Sequence, residues 1–485
     1  MPASVHRERL GLREIETAAI AGETMLHGQV GPDGPGRSDS LSMMAKPKPL
    51  DHLPGTRGWP IIGDTIPALR DTWRFEQRMD ARYGPLHHSR VLGIDWVNLH
   101  SAALIGNALL DRERCLSSEQ GWAPLLGQLF PRGLMLRDFD DHQRHRKIMQ
   151  VAFREPARRD YHELIDRETI RSVGGWGATP KLELYPAIKR ALIDQAATVF
   201  LGLEIGDAQA KFVAAFSSMM DASITPVQRD WPGTSWRRGL RARAWLSELL
   251  LAEAPKRRGQ AGRDLFTLLC NVEDEQSNRF DASEAVDHAI FVLLAAHDTS
   301  ATALSTLFDA LMRDEALQTR LREECRGLGL GRERFDFDAI EQLEQCDWAH
   351  REALRVNPPV PYILRNNIRP ITLEGYEIPS GSAFSLSVRA AHNDPELWSE
   401  PGRFDPERFC PARAEHRKQP HAYMPFGVGA HRCIGAEFAR QQGLTFVYHL
   451  LMRHRISGPP SRWQQLPIPR PRGNQPVLLE ALAPD

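Results

Sequence analysis

Apolar residues recur at helical spacing through most of residues 138–330, so the chain reads as mainly α-helical. The clearest segment starts at Asp281, where Asp281 and Glu284 have the spacing of a capping box. From residue 285 to 296 this helix is apolar nearly all round, as expected for one that crosses a protein's centre. A polar interruption follows, Ala295-Ala296-His297-Asp298-Thr299-Ser300, before Ala301, Leu304, Leu307, Phe308 and Leu311 resume the apolar face. Strand-like patterning is confined to residues 86–99 and 358–390. In the second region, 368–373 and 383–388 read as strands, punctuated by Gly375 and Pro379-Ser380-Gly381. Residues 1–48 contain Gly31-Pro32-Asp33-Gly34-Pro35-Gly36 and read as a flexible extension. The expectation is therefore one large domain over 49–485, mainly α with a small β region.

The interruption in the long helix needs a reason, because burying unpaired charge is expensive. Thr299 can turn its hydroxyl back to the carbonyl of Ala295, loosening the helix locally. The plain alternative is a helix end or surface patch in which Asp298 and Ser300 act as caps. The apolar stripe continuing beyond them argues against that.

A second concentration of chemistry lies at Pro425-Phe426-Gly427-Val428-Gly429-Ala430-His431-Arg432-Cys433-Ile434-Gly435. Its glycines allow a tight turn and a close approach to a flat partner. A helix is expected to begin just after Cys433, whose sulfur would then sit near exposed N–H groups that favour a thiolate. Such a sulfur can ligate a metal or attack an electrophile. A buried structural cysteine is the plain alternative.

Composition narrows the class. The formal net charge of −1 gives no global attraction to nucleic acid or anionic lipid. The cysteines at 115, 270, 325, 346, 410 and 433 show no paired spacing, which suits free thiols in a reducing compartment. The longest apolar run, 289–296, is short of the roughly 18–20 residues of a transmembrane helix, and no signal pattern opens the chain. The expectation is a cytoplasmic protein with no transmembrane anchor and no nucleic-acid partner.

Further pairs have two readings each. Glu352 and Arg355 share a helix face that Pro358-Pro359 must terminate, and an exposed pair of this kind would contribute only about 0.2–0.5 kcal/mol. His142 and Arg146 also share a face, within the basic run 144–147. Read plainly, this is a solvated basic surface.

The spacing Phe426-x-x-Gly429-x-x-x-Cys433-x-Gly435 resembles the haem-binding loop of the cytochrome P450 family. Three further segments resemble that family's motifs in the same order along roughly residues 50–480. Ala296-His297-Asp298-Thr299-Ser300 is similar to the oxygen-activation motif, with Ala296 in place of the usual glycine. Glu352-x-x-Arg355 and the segment 404–409 are similar to the charge pair and the meander, with Arg408 completing a buried Glu–Arg–Arg network. The resemblance implies the P450 fold, haem b (iron protoporphyrin IX) with Cys433 as axial ligand, and Phe426 and Gly427 in the haem-binding loop. It implies that His142, Arg146, Arg365 and His431 hold the propionates; His431 stands where many relatives carry arginine. Asp298 and Thr299 would relay protons during oxygen activation.

The activity implied is insertion of one atom of O₂ into an apolar, terpenoid, steroid or fatty-acid-like substrate. Electrons would come from a separate ferredoxin with its reductase, or from a flavoprotein, with residues 144–147 and Arg432 as a docking surface or an ordinary solvated face. The rivals are a haem-thiolate isomerase, dehydratase or peroxygenase and, in a different class, a non-catalytic haem carrier or gas sensor. The segments expected to line the pocket are 122–130, the Phe212/Phe216/Met219/Met220 stripe, Leu294–Ala295 and 360–364, each with core packing as the alternative. The segment 236–240 reads as solvated helix, with membrane contact as the lesser alternative.

Overall fold

A computed structural model describes residues 50–178, 181–203, 207–223, 225, 228–466 and 468–483. These belong to one unit spanning Pro47–Asp485, while the extension expected over 1–48 lies outside the described residues.

The Ala282–Arg313 helix forms the axis of this unit. Asp281 accepts from the Glu284 amide at 2.8 Å and Glu284 accepts from the Asp281 amide at 3.0 Å, so the expected capping box closes. The helix is buried from Ala285 to Leu293 and again from Ala301 to Met312. By length and hydropathy it could span a membrane, but 72 % of its most apolar stretch is buried inside the protein. It is a core helix, and its apolar girth reflects neighbours around most of its length.

Helices pack around this axis in two apolar groups. One joins the first half of the axial helix to Phe212, Phe216, Met219, Trp236 and Leu246. The other joins its second half to the Glu344–Val356 and Ala436–Arg453 helices through Leu307, Phe308, Leu311, Ala353 and Tyr448.

A third group lies under a six-stranded sheet. Its strand order is Gly55–Thr56, Leu86–Val91, Ile94–Leu99, Ala383–Ser387, Tyr362–Asn367 and Leu116–Ser117. The expected patch at 86–99 is a hairpin with Leu86 opposite Leu99 and Val91 opposite Ile94. The strand expected at 368–373 is corrected. The sheet strand runs over Tyr362–Asn367, and only Ile371–Leu373 continues as a small separate hairpin. Asn367 is buried because its side chain binds the carbonyls of Arg369 and Pro379 and the Ser382 amide, so a polar residue ends the strand internally.

Candidate active site

The loop over 425–435 is fixed by its own backbone. The Gly427 amide donates to the Met424 carbonyl at 3.0 Å, and the Cys433 amide donates to the Phe426 carbonyl at 2.8 Å. Gly429 has φ +73°, and a Cβ there would collide with the Leu109 carbonyl, so a side chain is excluded twice over.

Cys433 has an accessible side chain, yet burial pushes its thiol above the usual range. The sulfur is thus reachable while surrounded by protein. The Gly435 amide, Arg146 and Arg432 pull the other way and are outweighed. The helix begins at Ala436, and the Gly435 amide just before it is the donor that favours the thiolate against burial. A bound cation at the sulfur is what would remove its proton.

The axial helix supplies the opposite chemistry. Ala295 is exposed and Thr299 half-buried, although the turns before and after them are buried. The Thr299 hydroxyl donates to the Ala295 carbonyl at 2.6 Å, as the spacing predicted. Asp298 turns away from that bond. Its Oδ1 lies 3.1 Å from the Lys189 ammonium and 2.9 Å from His297 Nδ1. Burial pushes the Asp298 carboxyl up, but the His297 and Lys189 contacts prevail and hold it at about 2. The neighbouring Ser300 donates to Gln442 at 2.7 Å, tying this turn to the helix that follows Cys433.

Four basic groups gather beside the cysteine loop. The His142 and His431 rings stack with centroids 3.8 Å apart. Arg365 is 6 % exposed and donates to the neighbouring Leu364 carbonyl at 2.8 Å; among the described residues no carboxylate pairs with Arg365 or with Arg146. Burial lowers Arg365 to about 10 and His142 to about 4, the latter helped by the Arg146 and Arg365 charges. Burial, then Arg365, His142 and Arg146, take His431 to about 2. Holding the Arg365 and Arg146 charges away from water without acids is costly, and two carboxylates in their midst would relieve it.

Glu352 and Arg355 are fully buried, not a surface pair. Arg355 grips Glu352 with Nε at 2.7 Å and Nη2 at 2.8 Å, and Arg408 Nε reaches the same carboxylate at 3.2 Å. Two residues went unforeseen. Glu415 pairs with Arg408 at 3.1 Å; burial raises its carboxyl, but the Ser399, Arg413 and Arg408 contacts bring it down to about 2. His392 gives its carbonyl to Arg355 and its ring nitrogen to the Met424 amide, at the entrance to the cysteine loop.

The sequence model of the family described as Cytochrome P450 matches residues 53–477. The chain belongs to the cytochrome P450 family. It is 35 % identical to the putative cytochrome P450 136 of Mycobacterium tuberculosis, over 90 % of each chain. It is 28 % identical to the putative cytochrome P450 120 of Synechocystis, over 91 % of this chain and all of that one. A solved structure, retinoic acid bound cyanobacterial CYP120A1, superposes with a TM-score of 0.78 at 26 % identity, covering 89 % of this chain and 99 % of that one.

This cytochrome P450 is accordingly a haem-thiolate monooxygenase, using haem iron, O₂, an apolar substrate and a redox partner. Its residues fit a haem: an accessible sulfur inside the protein, an open turn on the axial helix, and the Arg365 and Arg146 guanidiniums beside two neutral imidazoles with no paired carboxylate among the described residues.

The expected lining divides. Leu294, Ala295, Trp122, Val360, Ile363 and Leu364 retain accessible surface. Phe212, Phe216, Met219 and Met220 are buried in the helical core, so for them packing is the correct reading. Trp236 is 1 % exposed, which corrects both the solvated and the membrane readings of its side chain. Asp138 was also unforeseen; it accepts the Ser118 and Glu119 amides at 2.7 and 3.2 Å and so starts the helix carrying Trp122.

Proposed function

We propose that this P450 oxygenates an apolar terpenoid, steroid or fatty-acid-like substrate, with Cys433 as the iron ligand of haem b. In this reading His142, Arg146, Arg365 and His431 hold the two propionates, Phe426 and Gly427 shape the loop against the ring, and the haem domain occupies residues 49–485. Electrons come from a separate ferredoxin and its reductase or from a flavoprotein, in the cytoplasm. The observation that carries the reading is the pair of accessible groups inside an otherwise buried core, Cys433 on the loop and Ala295 on the axial helix. The retinoic acid in the similar cyanobacterial structure, an apolar chain ending in one carboxylate, supports the same physical type of substrate.

Bound haem iron supplies the activation of dioxygen; the chain supplies position, exclusion of water and protons. Ala295, Leu294 and Ile363 offer apolar surface, which favours substrates that bind by burying area. The Thr299 hydroxyl rests on the Ala295 carbonyl, leaving its oxygen free to accept from a water in the cleft. When the hydroxyl rotates off that carbonyl, its proton points into the cleft and the water replaces it. Asp298 is ionised and held by Lys189 and His297 at rest. It joins proton transfer only when its carboxylate swings from Lys189, breaking the 3.1 Å ion pair. The Glu352–Arg355–Arg408 network does no chemistry; it braces the loop that presents the sulfur.

The test is turnover under ¹⁸O₂ with a surrogate ferredoxin, its reductase and NAD(P)H, using substrates chosen by their shift of the Soret band. One labelled oxygen in an apolar product supports the proposal. Hits confined to small charged or sugar-like compounds overturn the substrate class, and products without label overturn the oxygenation.

A further inference from the structure

The Thr72–Tyr83 helix lies against the 86–99 hairpin with Glu76 and Asp80 one turn apart on it. His87 is paired opposite Asn98, and His100 lies two residues beyond Asn98, so both imidazoles fall on one face of the hairpin. Their rings meet edge-on with centroids 4.8 Å apart. Asp80 Oδ1 stands 2.7 Å from His100 Nδ1 and 3.8 Å from His87 Nδ1. One ligand atom from each of Asp80, His87 and His100 lies within 4.8 Å of the other two.

We propose that Asp80, His87 and His100 form a zinc site that pins this helix to the hairpin. Two imidazoles and a carboxylate are a zinc donor set, with a water able to complete the tetrahedron. Binding exchanges a proton for the metal at His100, whose Nδ1 now shares that proton with Asp80. His87 shifts its proton to Nε2 and gives up its 2.9 Å contact with the Gly84 carbonyl.

Glu76 supplies an independent observation. It is 5 % exposed, its Oε2 has no hydrogen-bond partner, and its Oε1 lies 3.8 Å from His100 Nε2. A small shift closing that 3.8 Å gap would let Glu76 accept from His100 Nε2 and orient the metal-bound ring. Asp80 keeps 35 % of its side-chain surface exposed, which gives the ion a way in.

The experiment uses the haem-loaded full chain, stripped with EDTA, incubated with zinc chloride, desalted and analysed for zinc and iron together. About one zinc per iron is expected in the wild type. The Asp80→Asn and His87→Gln variants should each lose most of it, roughly tenfold, at unchanged iron content, which reports that the protein is still folded. The zinc-edge absorption spectrum should show nitrogen and oxygen ligands at about 2.0–2.2 Å. Absence of retained zinc in the wild type, equal retention in Asp80→Asn, or a sulfur shell at about 2.3 Å would each overturn the site.

Discussion

Arg355 donates to the carbonyl of His392 at 2.8 Å, and the ring of the same histidine accepts the Met424 amide at 2.9 Å. The buried charge network is thereby tied to the strand of chain that enters the cysteine loop. Burial, then the Arg355 charge, pushes the His392 ring down to about 3, so it stays neutral and its Nε2 remains an acceptor.

The brace gives a graded prediction. Arg355→Ala strands the Glu352 carboxylate in the core and should cost about 3–5 kcal/mol. His392→Leu leaves the Met424 amide unpaired and should cost about 1–3 kcal/mol. Haem per protein and the thermal unfolding midpoint should fall in that order. Equal effects, or no effect of either change, would detach the network from the loop.

Thr299→Val keeps the shape of the side chain and removes the hydroxyl that rests on Ala295. Substrate-induced Soret shifts should persist, while product per NAD(P)H should drop several-fold and peroxide rise, because general-acid help is worth about 10²–10⁴-fold where it operates. Unchanged coupling would take Thr299 out of the proton path.

Against burial, which raises the Asp298 carboxyl, His297 and Lys189 depress it, so its contribution to stability is complete above the unfolded value of 3.8 and disappears as pH falls through about 2. Lys189→Met removes one of the two partners and raises that carboxyl toward its ordinary value. Acid loss of the Soret band should then begin at a higher pH, with a penalty of roughly 1 kcal/mol at neutral pH. A midpoint identical to the wild type would show that the ion pair does not stabilise the protein.

The most legible parts of the chain were those in which chemistry imposes spacing. The capping box at Asp281, the Thr299 bond to Ala295 and the turn around Gly429 each follow from local backbone geometry. His392 and Asp138 were hidden because their partners lie far along the chain or act through backbone atoms, and Glu415 because its partners Arg408 and Arg413 meet it across irregular turns; none of these leaves a periodic trace. The helical stripe of Phe212, Phe216, Met219 and Met220 looks the same whether it faces a ligand or other helices. The strand over Tyr362–Asn367 was misplaced because Asn366 and Asn367 break the apolar alternation, the buried Asn367 satisfying backbone groups with its side chain. For Cys433 the helix-end donors are visible in the sequence, whereas the desolvation that opposes them exists only once the fold surrounds the sulfur.

That sulfur is the central claim, and the carbon monoxide spectrum of the reduced protein tests it most directly. With haem bound, the Soret position of the carbon monoxide complex would tell thiolate ligation by Cys433 from ligation by histidine or a neutral donor. The wild type should show the thiolate band, and Cys433→Ala should lose it while keeping its helical circular dichroism. A thiolate band that persists in Cys433→Ala would contradict the account.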